Sequence, residues 1–269
     1  MSRLCATLTL GAALGCAVLC AQAEPGTSHL DRVLASHSLR VCIWPDYYSI
    51  TYRDPKTRVL SGIDVDLAKE LAADLGPQVQ VQFIDSSFAQ LVDDVTHDRC
   101  DIAMFAVGIT PERVQVLRFT QPYLKSDIYG ITTRSNRRIK TWSDIDQPGV
   151  VVAVAKGTYH ETVMAQKLRQ ASLVATATPF AREQEVESGR ADIFMTDYPY
   201  SLRMLATTDW ARLVKPPGTY HLTPYAYAMQ PGDRRWFERV EQFMSTVKRD
   251  GRLMGVARRH HLEPIVDLN

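Results

Sequence analysis

The stretch Val150-Val151-Val152-Ala153-Val154-Ala155-Lys156-Gly157-Thr158, running into Tyr159-His160-Glu161-Thr162-Val163-Met164, decides the fold. An apolar strand pattern ends at a Gly-Thr pair and gives way to a helical pattern from Tyr159 to Arg169. The same alternation continues downstream: Leu173 to Ala177 as strand, Glu183 to Ser188 as helix, Asp192 to Thr196 as strand. It has also run once already upstream. After a short amphipathic segment at His29 to Ser36, Arg40 to Trp44 reads as a strand and Val65 to Leu75 as a helix. Val79 to Ile84 is again a strand, Phe88 to His97 a helix and Asp101 to Val107 a strand. Strands alternating with helices predict parallel pairing in α/β sheets, and the restart at Val150 predicts two sheets.

One extended stretch, Tyr123 to Thr133, lies between the two halves of the pattern, and a second, Thr223 to Met229, follows the second half. Two helical patterns follow, Asp233 to Val247 and Arg252 to His260. The chain is therefore expected to leave a first lobe, build a second and return, with residues 24–125 and 227–269 in lobe 1 and 126–226 in lobe 2. No repeat, low-complexity tract or Pro/Gly-rich linker separates them, so the lobes should be intimate.

The chain has 269 residues, 45% hydrophobic and 23% charged, which excludes a disordered polymer and a chain embedded in membrane along its length. Met1-Ser2-Arg3, an uncharged apolar run from Leu4 to Cys20 and Ala21-Gln22-Ala23 together read as a signal peptide over 1–23, cleaved after Ala23. The alternatives are an N-terminal anchor, since the run approaches the about 20 residues of a spanning helix, and a lipid-modified form. For the latter, Ala13-Leu14-Gly15-Cys16 half resembles a lipobox. Gly11, Gly15 and the absence of a following basic residue favour cleavage and a periplasmic product. Lys plus Arg number 31 against 30 Asp plus Glu, and removal of Arg3 leaves 30 of each. A net of zero provides no footprint for nucleic acid or an anionic membrane.

Of five cysteines, Cys42 and Cys100 remain after cleavage. Both lie in or beside apolar runs and read as small buried residues in separate strands. A bridge is the less favoured alternative, because it demands a short Cα separation.

Three places carry candidate chemistry. In Gly108-Ile109-Thr110-Pro111-Glu112-Arg113, Thr110 suits an N-cap and Pro111 the first helical position, which puts Arg113 in a helix's first turn. A cation there opposes the helix dipole, so an anion is expected beside it, and an Arg fork suits a carboxylate. An Arg reaching solvent, or pairing with Glu112 or Asp101, is the equal alternative. Gly157-Thr158 is a second strand-to-helix turn, able to receive an anion or simply to cap a helix. Asp197, after the strand Asp192 to Thr196, can cap the next helix, receive an ammonium group, or both.

Enzyme patterns fail. His160-Glu161 lacks a second His at metalloprotease spacing, and there is no phosphate loop, G-x-S-x-G elbow or zinc-spaced Cys pair. His260-His261 reads as a helix terminus and the basic cluster Arg134, Arg137, Arg138 and Lys140 as a solvated loop. No cofactor and no metal is expected.

The order of these motifs resembles the family-3 solute receptors of ABC importers, the periplasmic amino-acid-binding proteins. Gly62-Ile63-Asp64-Val65-Asp66-Leu67-Ala68 is similar to that family's G-F-D-V-D-L-A. Ile109-Thr110-Pro111-Glu112-Arg113 and Phe119-Thr120-Gln121-Pro122-Tyr123 are similar to its I-T-P-E-R and F-S-x-P-Y. The resemblance implies the two-lobe α/β fold of periplasmic binding proteins (type II), with two hinge strands, closing on a ligand. It implies that Arg113 and Thr158 hold an α-carboxylate, Asp197 an α-ammonium, that Tyr47 and Phe88 flank the side chain, and that backbone groups of Ala106 and Gly108 contribute. The implied partners are a small amino acid or related carboxylate and an inner-membrane ABC permease, with the receptor a monomer. Phe105 and Gly108 depart from hydroxyl or small residues frequent in the family, Ile50 from a frequent Phe, and Trp44 from the acidic residue of receptors for basic amino acids. A non-basic ligand is therefore expected.

The same fold hosts cyclohexadienyl dehydratase, which this sequence also resembles through Tyr47, Asp146-Gln147-Pro148-Gly149 and Met195-Thr196-Asp197. That branch carries a Glu three residues after the Asp, a general acid that helps expel a hydroxyl. Here that position is Tyr200, whose phenol, with an ordinary pKa near 10, is a poor replacement. Binding without catalysis is the expected function, with a dehydratase, or a receptor read by a sensor protein, as the alternatives.

Overall fold

The computed structural model describes residues 28 to 269; the leader read at 1–23 lies outside the described residues. In chain order, lobe 1 begins with α1 (His29–Ser36), β1 (Ser38–Ile43), β2 (Asp46–Tyr47), β3 (Thr51–Arg53) and β4 (Leu60–Ser61). It continues with α2 (Ile63–Leu75), β5 (Gln80–Asp85), α3 (Leu91–Thr96), β6 (Ile102–Gly108), β7 (Arg118–Phe119) and β8 (Leu124–Ser126). Lobe 2 contains β9 (Tyr129–Thr133), β10 (Val151–Ala155), α4 (Tyr159–Lys167), β11 (Ser172–Thr176), α5 (Pro179–Glu187), β12 (Ile193–Thr196), α6 (Tyr198–Thr207) and β13 (Ala211–Val214). The chain returns to lobe 1 through β14 (Thr223–Met229), α7 (Arg234–Arg249) and α8 (Arg252–Arg259).

The first sheet has the order β5-β1-β6-β14-β7, with β8 also on β14, and the second has the order β11-β10-β12-β9-β13. β6 is buried at every position, as a strand covered on both faces must be. Parallel pairing holds only for β5, β1 and β6 and for β11, β10 and β12. The parallel pairing expected from the alternation thus holds for three strands of each sheet, while the strands next to the crossings, β14 and β9, run antiparallel to their neighbours. The reason is topological: a chain that leaves a sheet and comes back beside its exit reverses direction. β8 and β14 pair through Thr223 and Ser126, which puts the outgoing and returning segments side by side as a two-strand hinge.

α2 explains the G-I-D-V-D motif. A Cβ on Gly62, which has φ +135°, would stand 2.1 Å from the Ile50 carbonyl oxygen. The close approach lets Ile63 and Asp64 donate their N–H groups to the Ser49 and Ile50 carbonyls, satisfying free donors of the first turn. Asp64 then turns inward, fully buried. It accepts from Tyr123 Oη at 2.6 Å, Tyr227 Oη at 2.9 Å and the Ala106 N–H at 2.9 Å. Burial pushes its carboxyl up to about 7, against the pull of those three bonds.

Cys42 and Cys100 form a disulfide, with Cα atoms 5.6 Å apart. The expectation of two separate buried cysteines is overturned because β1 and β6 are adjacent and parallel, and Cys100 lies just before β6. The Asp101 N–H donates to the Arg40 carbonyl, bringing the approach to β6 against β1.

Candidate functional site

The cleft is walled from lobe 1 by aromatic rings. Trp44 and Tyr47 have centroids 5.0 Å apart, Trp44 and Phe88 5.3 Å, and Phe88 and Phe105 5.1 Å, in tilted or edge-on pairs of the favourable kind. Lobe 2 presents the ends of β10 and β12 and the first turns of α4 and α6. Between them remain a space of about 200 Å³ bounded by Trp44, Ala89, Lys156 and Thr178 and, beside it, one of about 20 Å³, enough for about one water, so the lobes are nearly closed on each other. Tyr47, Phe88, Thr158 and Asp197, four of the seven residues read from sequence, line the smaller space.

Arg113 does not begin an α-helix as expected; it opens a single 3₁₀ turn, Arg113–Gln115. So short a turn has no helix dipole for the cation to oppose, and that argument for a nearby anion falls. What holds Arg113 is a pair of carbonyls from opposite lobes: Nη1 donates to Gly108 O at 2.8 Å and Nη2 to Gly157 O at 2.9 Å. Its guanidinium carbon lies 5.6 Å from the Phe88 centroid. The residue is 8% exposed, and burial pushes its pKa down to about 10, leaving it a cation at neutral pH. No ion pair among the described residues includes it.

Asp197 follows β12 and caps α6, its Oδ1 accepting from the Tyr200 N–H at 3.2 Å. Its Oδ2 accepts from Tyr225 Oη at 2.9 Å and from the Tyr47 hydroxyl across the cleft. Burial raises its pKa. Thr158 donates its hydroxyl to Ala155 O at 2.7 Å, and the neighbouring Gly157 N–H is taken by Glu161 Oε2 at 2.7 Å. The α4 turn is thus partly occupied by the protein's own carboxylate. The Ala106 N–H, expected to face a ligand, is committed to Asp64 inside lobe 1, and its φ is +48°. Gly108 offers its carbonyl to Arg113.

Sequence reasoning missed Arg182 and gave His160 no role beyond the failed metal pattern. Both line the smaller space. It also placed no carboxylate near Tyr200; Glu183 on α5 accepts from the Tyr200 hydroxyl and pairs with Arg203 at 3.1 Å. For a cation, His29, Asp98 and Asp101 converge, yet Arg32 and Arg40 already pair with these carboxylates at 2.6 to 2.8 Å, which supplies the positive charge.

Gly157 fixes how closely the lobes meet. It has φ +78°, and a Cβ there would stand 2.7 Å from the Ala89 backbone of the opposite lobe. Gly157→Ala is expected to hold the cleft open, enlarging the radius of gyration in small-angle scattering; an unchanged scattering curve would remove Gly157 as the point of closest approach.

Two lobes hinged side by side, meeting over a cleft with a buried cation from one and a buried carboxylate from the other, define a clamshell binding protein. The chain belongs to the bacterial extracellular solute-binding proteins, family 3, whose model matches residues 39–263. It is 32% identical over 244 residues to the cyclohexadienyl dehydratase of Pseudomonas aeruginosa, covering 90% of each chain. It is 25% identical to the amino-acid-binding protein AabA of Dichelobacter nodosus, covering 77% of this chain and 81% of that one. Among solved structures, the ancestral amino-acid-binding protein AncCDT-1, described as a precursor of cyclohexadienyl dehydratase, superposes with a TM-score of 0.79. That match has 29% identity and covers 87% of this chain and 99% of that one.

Proposed function

We propose that this protein is a periplasmic receptor that closes on a small amino acid or related carboxylate with a non-basic side chain and delivers it to an ABC permease. Arg113 and Thr158 receive the carboxylate, Asp197 the ammonium, and Tyr47 with Phe88 enclose the side chain. The observation that supports this most is the pair of interlobe bonds, Arg113 to Gly157 O and Tyr47 to Asp197. Both break when the lobes part. A ligand carboxylate then replaces the Gly157 carbonyl as acceptor and a ligand ammonium replaces the tyrosine hydroxyl as donor, so entry costs no unpaired buried charge. Trp44, buried against Tyr47 and Phe88, leaves the side-chain end without a carboxylate at the position where a second cation would need one.

The dehydratase reading is favoured by the Pseudomonas aeruginosa relative. Against it stands Tyr200. Burial raises its phenol above the ordinary tyrosine value, moving it further from a useful general acid. Glu183, tied to Tyr200 and Arg203, acts there as an acceptor. Incubation with prephenate or arogenate is expected to give no aromatic product above the uncatalysed rate; robust turnover by the wild type would make the protein an enzyme.

A further inference from the structure

Arg182 and His160 are the most deeply committed polar groups of the cleft that the proposed ligand contacts leave unused. Arg182 is 2% and His160 5% exposed, and both line the space between the lobes. Arg182 is locked by its environment: Nη1 donates to Met195 O at 2.7 Å and Nη2 to Thr196 Oγ1 at 3.2 Å. The Phe194 and Tyr200 rings lie 4.8 and 4.4 Å from its guanidinium carbon. Its Nε–H has no partner. Neither has either ring nitrogen of His160, whose ring lies tilted against Tyr159 with centroids 4.0 Å apart. These are the buried side-chain polar atoms without partners among the described residues, and all belong to this one cleft. Burying polar groups without partners is costly, so their grouping points to something they bind.

The charges specify what. The cleft holds two buried guanidinium cations, Arg113 and Arg182, against one carboxylate, Asp197, since Glu183 and Arg203 pair with each other. A ligand with one ammonium and one carboxylate leaves this surplus untouched, whereas one with a further carboxylate cancels it. We infer that the molecule this cleft binds carries a second, side-chain carboxylate, received by the Nε–H of Arg182 and a ring N–H of His160, as in an acidic amino acid. Burial and the neighbouring Arg182 charge push the pKa of His160 well down, so the ring is a neutral donor and adds no second cation. The Arg182 fork is held by the β12 carbonyl and the flanking rings before any ligand arrives, so ordering it at binding costs little.

This inference rests on the receptor reading above, and the test separates the two. L-glutamate against L-glutamine, and L-aspartate against L-asparagine, are titrated calorimetrically into the mature protein. Each pair differs only by the second charge. The acidic member of at least one pair should bind about tenfold tighter or better, and Arg182→Gln should erase that preference. If Arg182→Gln does not fold, as judged by circular dichroism, His160→Gln should narrow it instead. A preference retained in a folded Arg182→Gln or, failing that, in a folded His160→Gln overturns the inference. So does a protein that binds only amino acids with neutral side chains, and that outcome leaves the receptor reading standing. A protein that binds no amino acid or small carboxylate overturns both.

Discussion

Replacing Arg113 with alanine is expected to weaken ligand binding by about 2 to 5 kcal/mol, because it strips the partner from a carboxylate already withdrawn from water. The magnitude follows from the burial of the guanidinium and its pKa of about 10, which still leaves it charged at neutral pH. It also follows from the fork's anchor within its own lobe, the Gly108 carbonyl, which orients it before the ligand arrives. Arg113→Lys keeps the charge and loses the fork, so an intermediate loss is expected. Calorimetry on variants with native circular dichroism measures both, and an Arg113→Ala protein of unchanged affinity would show that the carboxylate is held elsewhere.

Removing the disulfide should produce the other large effect. Cys42 and Cys100 are 58 residues apart in sequence, and closing a loop of that length restricts the unfolded chain by about 4 kcal/mol in the chain-entropy estimate. The double variant Cys42→Ala, Cys100→Ala is expected to melt about 8 to 16 °C lower, at about 2 to 4 °C per kcal/mol for a chain of this size. Both sulfurs belong to the buried core of lobe 1 and neither lines the cleft, so ligand affinity at low temperature should change little. Differential scanning calorimetry decides it; an unchanged melting temperature would mean the bridge does not constrain the unfolded chain.

The alternation of strands and helices was legible because each element carries its own period. Val150 to Ala155 is β10 to within one residue, and Val65 to Leu75 lies inside α2. β2 to β4 were not legible: Asp46 to Ser61 is a polar stretch without alternation, ordered by turns and by the close approach at Gly62. The disulfide depends on which strands are neighbours, and nothing local to Cys42 or Cys100 encodes that. The same holds for the cleft. Motif positions such as Arg113 and Asp197 could be named from sequence, but Arg182 stands in the polar run Phe180-Ala181-Arg182-Glu183-Gln184-Glu185, where nothing local marks it as buried. It is buried because β12 and α6 bring Phe194 and Tyr200 against it. Glu183 reaches Tyr200 across 17 positions, and only the packing of α5 on the second sheet makes them partners.

A thermal-shift screen of the common amino acids and short organic acids shows whether the two lobes close on a small, non-basic carboxylate. A ligand at a hundredfold excess over its Kd stabilises the folded state by about 2.7 kcal/mol. That corresponds to a rise of about 5 to 10 °C for a chain of this size if unfolding is near two-state. The expected result is such a rise with a non-basic amino acid or small carboxylate, and none with arginine, lysine or ornithine. A melt moved best by a basic amino acid, or only by sugars or metal ions, would contradict it.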